Sequence, residues 1–218
     1  MGGRPVDSLV EVTFLYTNAD ALLTKIDELR TIAIKEKPSI ILICETWLHN
    51  GVNDSLVCID CYNLFRLDRI GKRGGGSGIY TRLIDKLKTT LSNDLSTYVF
   101  GDFNFPEINW STLNLTSTST QARNFLDSYK EMNAKQLIKF PTRYRNAQSS
   151  LLDLLIVNND KILYNIASRS PLGKSDHITI TATTQLKLKE NPTHKIKKRN
   201  FWISDYSQVN SFIIDRTT

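Results

Sequence analysis

Hydrophobic and polar positions along this chain alternate in short blocks, and the first three blocks already predict a layered fold. Residues 9–16 (Leu-Val-Glu-Val-Thr-Phe-Leu-Tyr) read as a β-strand rich in branched and aromatic side chains. Next, Leu22, Leu23, Ile26, Leu29 and Ala33 recur at helical spacing, with Asp20 or Thr24 as the start and Pro38 as the stop. The run Ser39-Ile40-Ile41-Leu42-Ile43-Cys44 is uninterrupted, as in a strand buried on both faces, and Glu45 follows at its carboxyl end. A strand, a helix and a second buried strand open an α/β sandwich. Downstream, Asn63–Arg66 and Ile79–Thr81 read as short strands on either side of the loop 73–78. Residues 83–95 read as a helix, Thr97–Phe100 as a strand, and 111–120 as a Ser/Thr-rich loop. Ala122–Lys135 has helical spacing, Gln136–Phe140 is extended, and Leu151–Val157 and Ile178–Thr184 are strands.

Bulk properties narrow this picture. A chain of 218 residues, 40% hydrophobic and 23% charged, has the size and balance of one sizeable globular domain. The pattern places an N-terminal arm at 1–8, the domain at 9–184 and a basic linker at 185–218, where Lys187, Lys189, Lys195, Lys197, Lys198 and Arg199 gather. No run of eighteen apolar residues predicts a membrane span, and the first residues lack the basic-then-apolar pattern of a secretory signal. Cys58-x-x-Cys61 could be a redox pair or half a zinc site. With three cysteines in all and no second Cys/His pair at finger spacing, the reading is reduced thiols in an intracellular protein. The net charge of +6 suits a polyanionic partner without identifying one.

The candidate chemistry lies where apolar strands stop. Asn18, Glu45, Asp102 with Asn104, and Asp176 with His177 all stand at strand ends, where clefts open in layered sheets. Phosphodiester hydrolysis needs a hard cation against developing negative charge, and Mg²⁺ prefers carboxylate oxygens with retained waters. Glu45 is the natural ligand. Asp102 and Asn104, alternate residues of an extended segment, would share a face, one orienting an attacking water and the other holding a phosphate oxygen. Asp153, set within Leu-Leu-Asp-Leu-Leu-Ile-Val, is costly to bury unless paired, and pairing with His177 would favour an imidazolium over the phosphate. Trp47 and Trp110 could stack on nucleic acid or pack a core, and Arg143-Tyr144-Arg145 could line a DNA cleft or a solvated loop. The glycines at 74–76 and 78 lack a following Gly-Lys-Ser/Thr, so a strand connector is read there rather than a phosphate loop.

Five motifs stand in order: Leu-Tyr-Thr-Asn-Ala-Asp, Cys-Glu-Thr-Trp-Leu, Gly-Asp-Phe-Asn-Phe-Pro-Glu-Ile-Asn-Trp, Ser-Leu-Leu-Asp-Leu-Leu and Ser-Asp-His. Over residues 9–184 they resemble the endonuclease/exonuclease/phosphatase (DNase-I-like) superfamily, and most closely the endonuclease domains of non-LTR retrotransposons. The resemblance implies an α/β (α+β) two-sheet β-sandwich flanked by helices. It implies a Mg²⁺- (or Mn²⁺-) dependent DNA endonuclease, nuclear or cytoplasmic and monomeric, whose linker leads to a reverse transcriptase absent here. Asn18, Glu45 and Asp176 would serve the metal. Asp102 would act on the nucleophile and Asn104 on the phosphate, with Asp176 and His177 closing the site. Asp153, Ser150 and Arg143 would support it.

The chain also departs from that family. Members carry further strands between the Gly-rich loop and the Gly-Asp-Phe-Asn strand, one of them bearing an active-site Tyr followed by Arg-Pro-Pro. Only residues 81–98 separate the two motifs here, with no Tyr-Arg-Pro among them. The expectation is therefore a sandwich missing central strands near residue 82, with exposed ladder edges and impaired catalysis. A catalytically inactive nucleic-acid-binding remnant is the alternative, and a phosphatase of the same fold is a third reading.

Overall fold

The computed structural model describes residues 8–82, 97–132, 134–158 and 163–188. The helix expected at 83–95, most of the N-terminal arm and the linker beyond 188 lie outside the described residues. No helix among those described is long and apolar enough to cross a membrane.

Two sheets face each other. The larger is six-stranded in the order β12-β13-β1-β2-β4-β3, built from β1 (Ser8–Asn18), β2 (Ile40–Cys44), β3 (Asn63–Leu67), β4 (Ser77–Thr81), β12 (Leu163–Arg169) and β13 (Thr179–Leu188). The smaller is three-stranded, β5-β11-β8, from β5 (Tyr98–Asp102), β11 (Asp153–Val157) and β8 (Lys135–Gln136). Two hairpins complete the described strands, β6 (Ile108–Asn109) with β7 (Asn114–Leu115), and β9 (Arg143–Arg145) with β10 (Gln148–Ser150).

The period of two along each strand sorts residues into layers. Along β1, Leu15 turns outward to a cluster with Ile41, Ile43, Tyr80 and, from α1 (Ile26–Glu36), Ile26, Leu29 and Ala33. Val12, Phe14 and Tyr16 turn inward to meet Leu155, Val157 and Phe100 of the second sheet. On the far side, Leu154 and Ile156 pack against Ala122, Leu126 and Tyr129 of α3 (Thr120–Glu131). The result is helix, sheet, sheet, helix. β11 is buried at every position because both of its faces are covered.

Several expected boundaries move. Neither Asp20 nor Thr24 caps α1 (Ile26–Glu36): Leu22–Thr24 forms a separate 3₁₀ turn, and Lys25 stands at the helix N-cap without a side-chain cap. Leu23 is exposed because that turn breaks the helical spacing. Asp54–Val57 is a short helix, α2, capped by the Asn53 side chain accepting from the Ser55 N–H. Asn114–Leu115, within the segment 111–120 read as loop, pairs with Ile108–Asn109 as a hairpin. β13 continues past residue 184 to Leu188, where it pairs with Ser8. All three cysteines are free, Cys58 and Cys61 being exposed.

Candidate active site

One end of the sandwich gathers the candidate residues because of strand direction. β1, β2 and β5 run toward that end and deliver Asn18, Glu45 and Asp102 at or just past their carboxyl termini. β11 and β13 start there, so Asp153 and His177 enter from the opposite sense; Asp153 pairs directly with Asp102 in the ladder. The Ser175-Asp176-His177 segment is stitched to the β9 hairpin by Tyr144 N–H to the Asp176 carbonyl and Ile178 N–H to the Thr142 carbonyl, each 2.8 Å.

These residues line a single cleft of about 530 Å³. Asn18, Asp20, Glu45, Asp102, Asn104, Arg143, Arg145, Lys174, Asp176 and His177 form its walls. Asp153 lies beneath the floor, fully buried, and its Oδ2 meets His177 Nδ1 at 2.7 Å. The other imidazole nitrogen, Nε2, stands 3.8 Å from Asp102 Oδ2 and 3.6 Å from Asp176 Oδ1. Asn18 donates to Asp102 Oδ2 at 3.1 Å. The Asn104 N–H donates to Asp102 Oδ1 at 3.1 Å. Asn104 is not in the extended conformation expected for it: its φ is 51°, so the chain turns after Asp102 and brings both side chains to the cleft by a turn rather than by a shared strand face.

Glu45 is held firmly. Its Oε2 accepts from the Trp47 indole N–H at 2.8 Å and from the Gly75 N–H at 2.7 Å, while Oε1 has no hydrogen-bond partner among the described residues. Trp47, whose choice lay between stacking on nucleic acid and core packing, instead braces this carboxylate and lies under the Arg73 guanidinium. Trp110 packs edge-on against Phe125 and Tyr129. Asp20, Ala21, Glu45, Trp47 and Asn104 all adopt positive φ without being glycine. Such strained backbone persists only where surrounding structure enforces it, and it clusters at functional sites.

The electrostatics follow from this crowding. Burial lowers the affinity of His177 for its proton, but the hydrogen bond and charge of Asp153, with Asp102 and Asp176 adding, reverse that and leave it above the ordinary histidine value. Burial, and then the charge of Asp153, holds Asp102 above the usual carboxylate range despite His177, the Asn104 N–H and Asn18. For Asp176 the burial effect is overcome by the Arg143 guanidinium, whose Nε donates to Asp176 Oδ2 at 2.9 Å, and the net direction is down. Burial pushes the Cys44 thiol up to about 12 and the Tyr16 phenol well above its ordinary value.

Asp102, Asp153 and His177 offer ligand atoms within 4.8 Å of one another. Both oxygens of Asp153 are already engaged, by His177 and by the Tyr16 hydroxyl at 2.7 Å, so that group faces inward. The atoms that can face a cation are Glu45 Oε1, the carboxylates of Asp102 and Asp176, and the remaining lone pair of Asn18 Oδ1, which accepts from the Asp20 N–H. This is a set of hard oxygen donors, and it fits Mg²⁺ or Mn²⁺ better than zinc or copper.

Ser150 stands apart from the others. It borders an adjoining hollow of about 640 Å³ that shares Asn104 and Arg143 with the main cleft. Arg143 and Arg145 face the main cleft while Tyr144 between them points to solvent, as alternation along β9 requires. Asp20, Lys174 and Tyr16 were not singled out from the sequence as site residues. Lys174 could have been found from its place beside Ser-Asp-His. Tyr16 could not, because it reads as one more aromatic residue of an inward strand face.

Residues 75–181, just under half of the chain, match the family described as endonuclease-reverse transcriptase. No curated protein matches the sequence. Among solved structures, the chain is similar to the AP endonuclease LMAP from Leishmania major, with a TM-score of 0.62 and 13% identity over 80% of this chain and 88% of that one. It is similar to the 3′ phosphatase NExo from Neisseria bound to a product DNA hairpin, with a TM-score of 0.60 and 12% identity over 78% and 98%. The endonuclease domain of TRAS1, a telomere-specific non-LTR retrotransposon, superimposes with a TM-score of 0.57 and 13% identity over 81% and 99%.

Proposed function

Because the chain has the DNase-I-like fold of the endonuclease/exonuclease/phosphatase superfamily, we propose that it descends from a Mg²⁺-dependent DNA endonuclease and hydrolyses phosphodiester bonds in the cleft around Glu45, Asp102 and His177. The observation that carries this reading is the convergence of Glu45, Asn18, Asp102, Asn104, Asp176 and His177 in one cleft, with Arg143, Arg145 and Lys174 on its walls.

Each residue then has a part. Glu45, Asp176 and Asn18 would hold the cation, with Asp102 beside them. When bound, the cation would offset negative charge on the phosphate and favour ionised water. Asp102, kept above the usual carboxylate range and oriented by Asn18 and the Asn104 N–H, is suited to take a proton from that water. Asn104, exposed at the rim, holds a phosphate oxygen. His177 presents Nε2 to the cleft as an imidazolium fixed through Nδ1 by Asp153, and stabilises the oxyanion that develops. Arg143 sets the position of Asp176. Arg145 and Lys174 attract flanking phosphates, while Ser150 borders the hollow beside them. The partner is DNA, encountered by a monomer in the nucleus or cytoplasm.

One observation favours the second reading, a nucleic-acid-binding remnant with lost turnover: no tyrosine stands among the described residues that line the cleft. A supercoiled-plasmid assay separates the readings. The nuclease reading expects nicking that requires Mg²⁺, stops with chelator and falls about a hundredfold or more in Glu45→Ala. Salt-dependent DNA binding with no nicking above the Glu45→Ala background identifies the remnant instead. A terminal 3′-phosphate substrate run in parallel detects a phosphatase.

A further inference from the structure

Asp153 is a carboxylate with no exposure at all, on the inward face of a strand otherwise made of Leu, Ile and Val. A charge so placed needs donors on both oxygens. His177 supplies one from its own side. The other comes from across the sandwich: Tyr16, on β1 of the opposite sheet and 1% exposed, donates its hydroxyl proton to Asp153 Oδ1 at 2.7 Å. The Tyr16 ring is clamped against Phe100 with centroids 5.8 Å apart. Because the single hydroxyl proton goes to Asp153, the 2.9 Å contact between the Tyr16 oxygen and Cys44 Sγ has the thiol as donor. The chain therefore runs from the Cys44 S–H through the Tyr16 O–H and the Asp153 carboxylate to the imidazole of His177, whose Nε2 reaches the cleft.

We infer that Tyr16 is a positioning residue, fixing the Asp153 carboxylate from the opposite sheet so that His177 is held with Nδ1 buried and Nε2 aimed into the cleft. The inference rests on the proposed nuclease reading for its catalytic consequence, but not for its geometry. Without the hydroxyl, Asp153 Oδ1 loses its only donor among the described residues, and the broad terminal torsion of the carboxylate is restrained from the Oδ2 side by His177. The backbone around it would still be held, because the Thr142 hydroxyl accepts from both the Leu152 and Asp153 N–H groups. Loss of Tyr16 would thus loosen a side chain rather than a strand. Hydrogen-bond chains polarise their members, so a change at the phenol is transmitted to the far bond.

The test reads the His177 Nδ1 proton by NMR in the full chain, without DNA and without metal. The unmodified protein should show it as a slowly exchanging downfield resonance, absent in Asp153→Asn. In Tyr16→Phe it should broaden through faster exchange with water while the rest of the spectrum is retained. Site-specific fluorination of Tyr16 leaves the fold untouched even if Tyr16→Phe unfolds the chain. More acidic phenols draw charge from Asp153, so the resonance should move upfield stepwise with fluorine number. A resonance indifferent to fluorination, or to Tyr16→Phe in a folded protein, overturns the inference whether or not the chain nicks DNA. Where nicking is measurable, Tyr16→Phe should lower kcat about tenfold at unchanged KM, and should add nothing to Asp153→Asn. A raised KM, or losses that simply multiply, would assign Tyr16 to general packing instead.

Discussion

His177 takes its charge from what surrounds it. Burial alone would favour the neutral ring, yet Asp153 at 2.7 Å, with Asp102 and Asp176 nearby, holds the proton above the ordinary histidine value of 6.5. A histidine whose folded value is raised contributes stability that is fully present below the unfolded value. That stability is lost as pH rises through the folded one. NMR titration of the His177 ring should therefore give a midpoint above 6.5, and Asp153→Asn should bring it down. The unfolding free energy of the unmodified protein should fall with rising pH across the same window, and this slope should shrink in Asp153→Asn. A midpoint unmoved by Asp153→Asn would contradict the pairing. At this scale much of the site was legible. Asn18, Glu45, Asp102, Asn104, Asp176 and His177 stand out because each is a polar residue at one end of an apolar strand, and the structure brings them to one cleft. Asp153 stood out for the opposite reason, as a charge inside such a run. Tyr16 escaped notice, and Trp47 was noticed without its part in bracing Glu45, because both roles depend on partners that local pattern does not reveal.

Elements place those residues, and loops fine-tune them. The Gly-rich loop between β3 and β4 holds Glu45 through the Gly75 N–H, and its shape depends on Gly76, at φ +84°. A Cβ there would lie 2.5 Å from the Thr46 hydroxyl and 3.4 Å from the Leu67 carbonyl oxygen. Gly76→Ala should cost about 1–2 kcal/mol in urea denaturation from the left-handed backbone alone. It should also weaken Mg²⁺ affinity by shifting the donor that orients Glu45. Unchanged stability and affinity would show that the loop is not a brace. The glycines were visible in the sequence, and the P-loop reading could be dismissed there, but their service to Glu45 was not. Strand types were read well wherever an apolar run was buried on both sides, as in β2 and β11. β12 and the β9–β10 hairpin were missed because they are largely exposed and carry little hydrophobic signal. The helix at 26–36 was seen, but its start was placed too early because a 3₁₀ turn mimics the first helical turn.

Across the whole molecule, two sheets and their outer helices form an asymmetric sandwich. The six-stranded sheet extends beyond the three described strands that face it, and Phe65, Leu67 and Ile79 on β3 and β4 are left exposed on the side of the shorter sheet. What decides the function is whether the strand ends at this end of the sandwich build one cation site. Mn²⁺ can stand in for Mg²⁺ and broadens NMR signals near it. Titrated into the full chain at substoichiometric concentration, it should first broaden the side-chain resonances of Asn18, Asn104 and His177 together, and Glu45→Ala should abolish that pattern. Broadening centred elsewhere, or unchanged in Glu45→Ala, would show that these residues do not share a metal and would contradict the account.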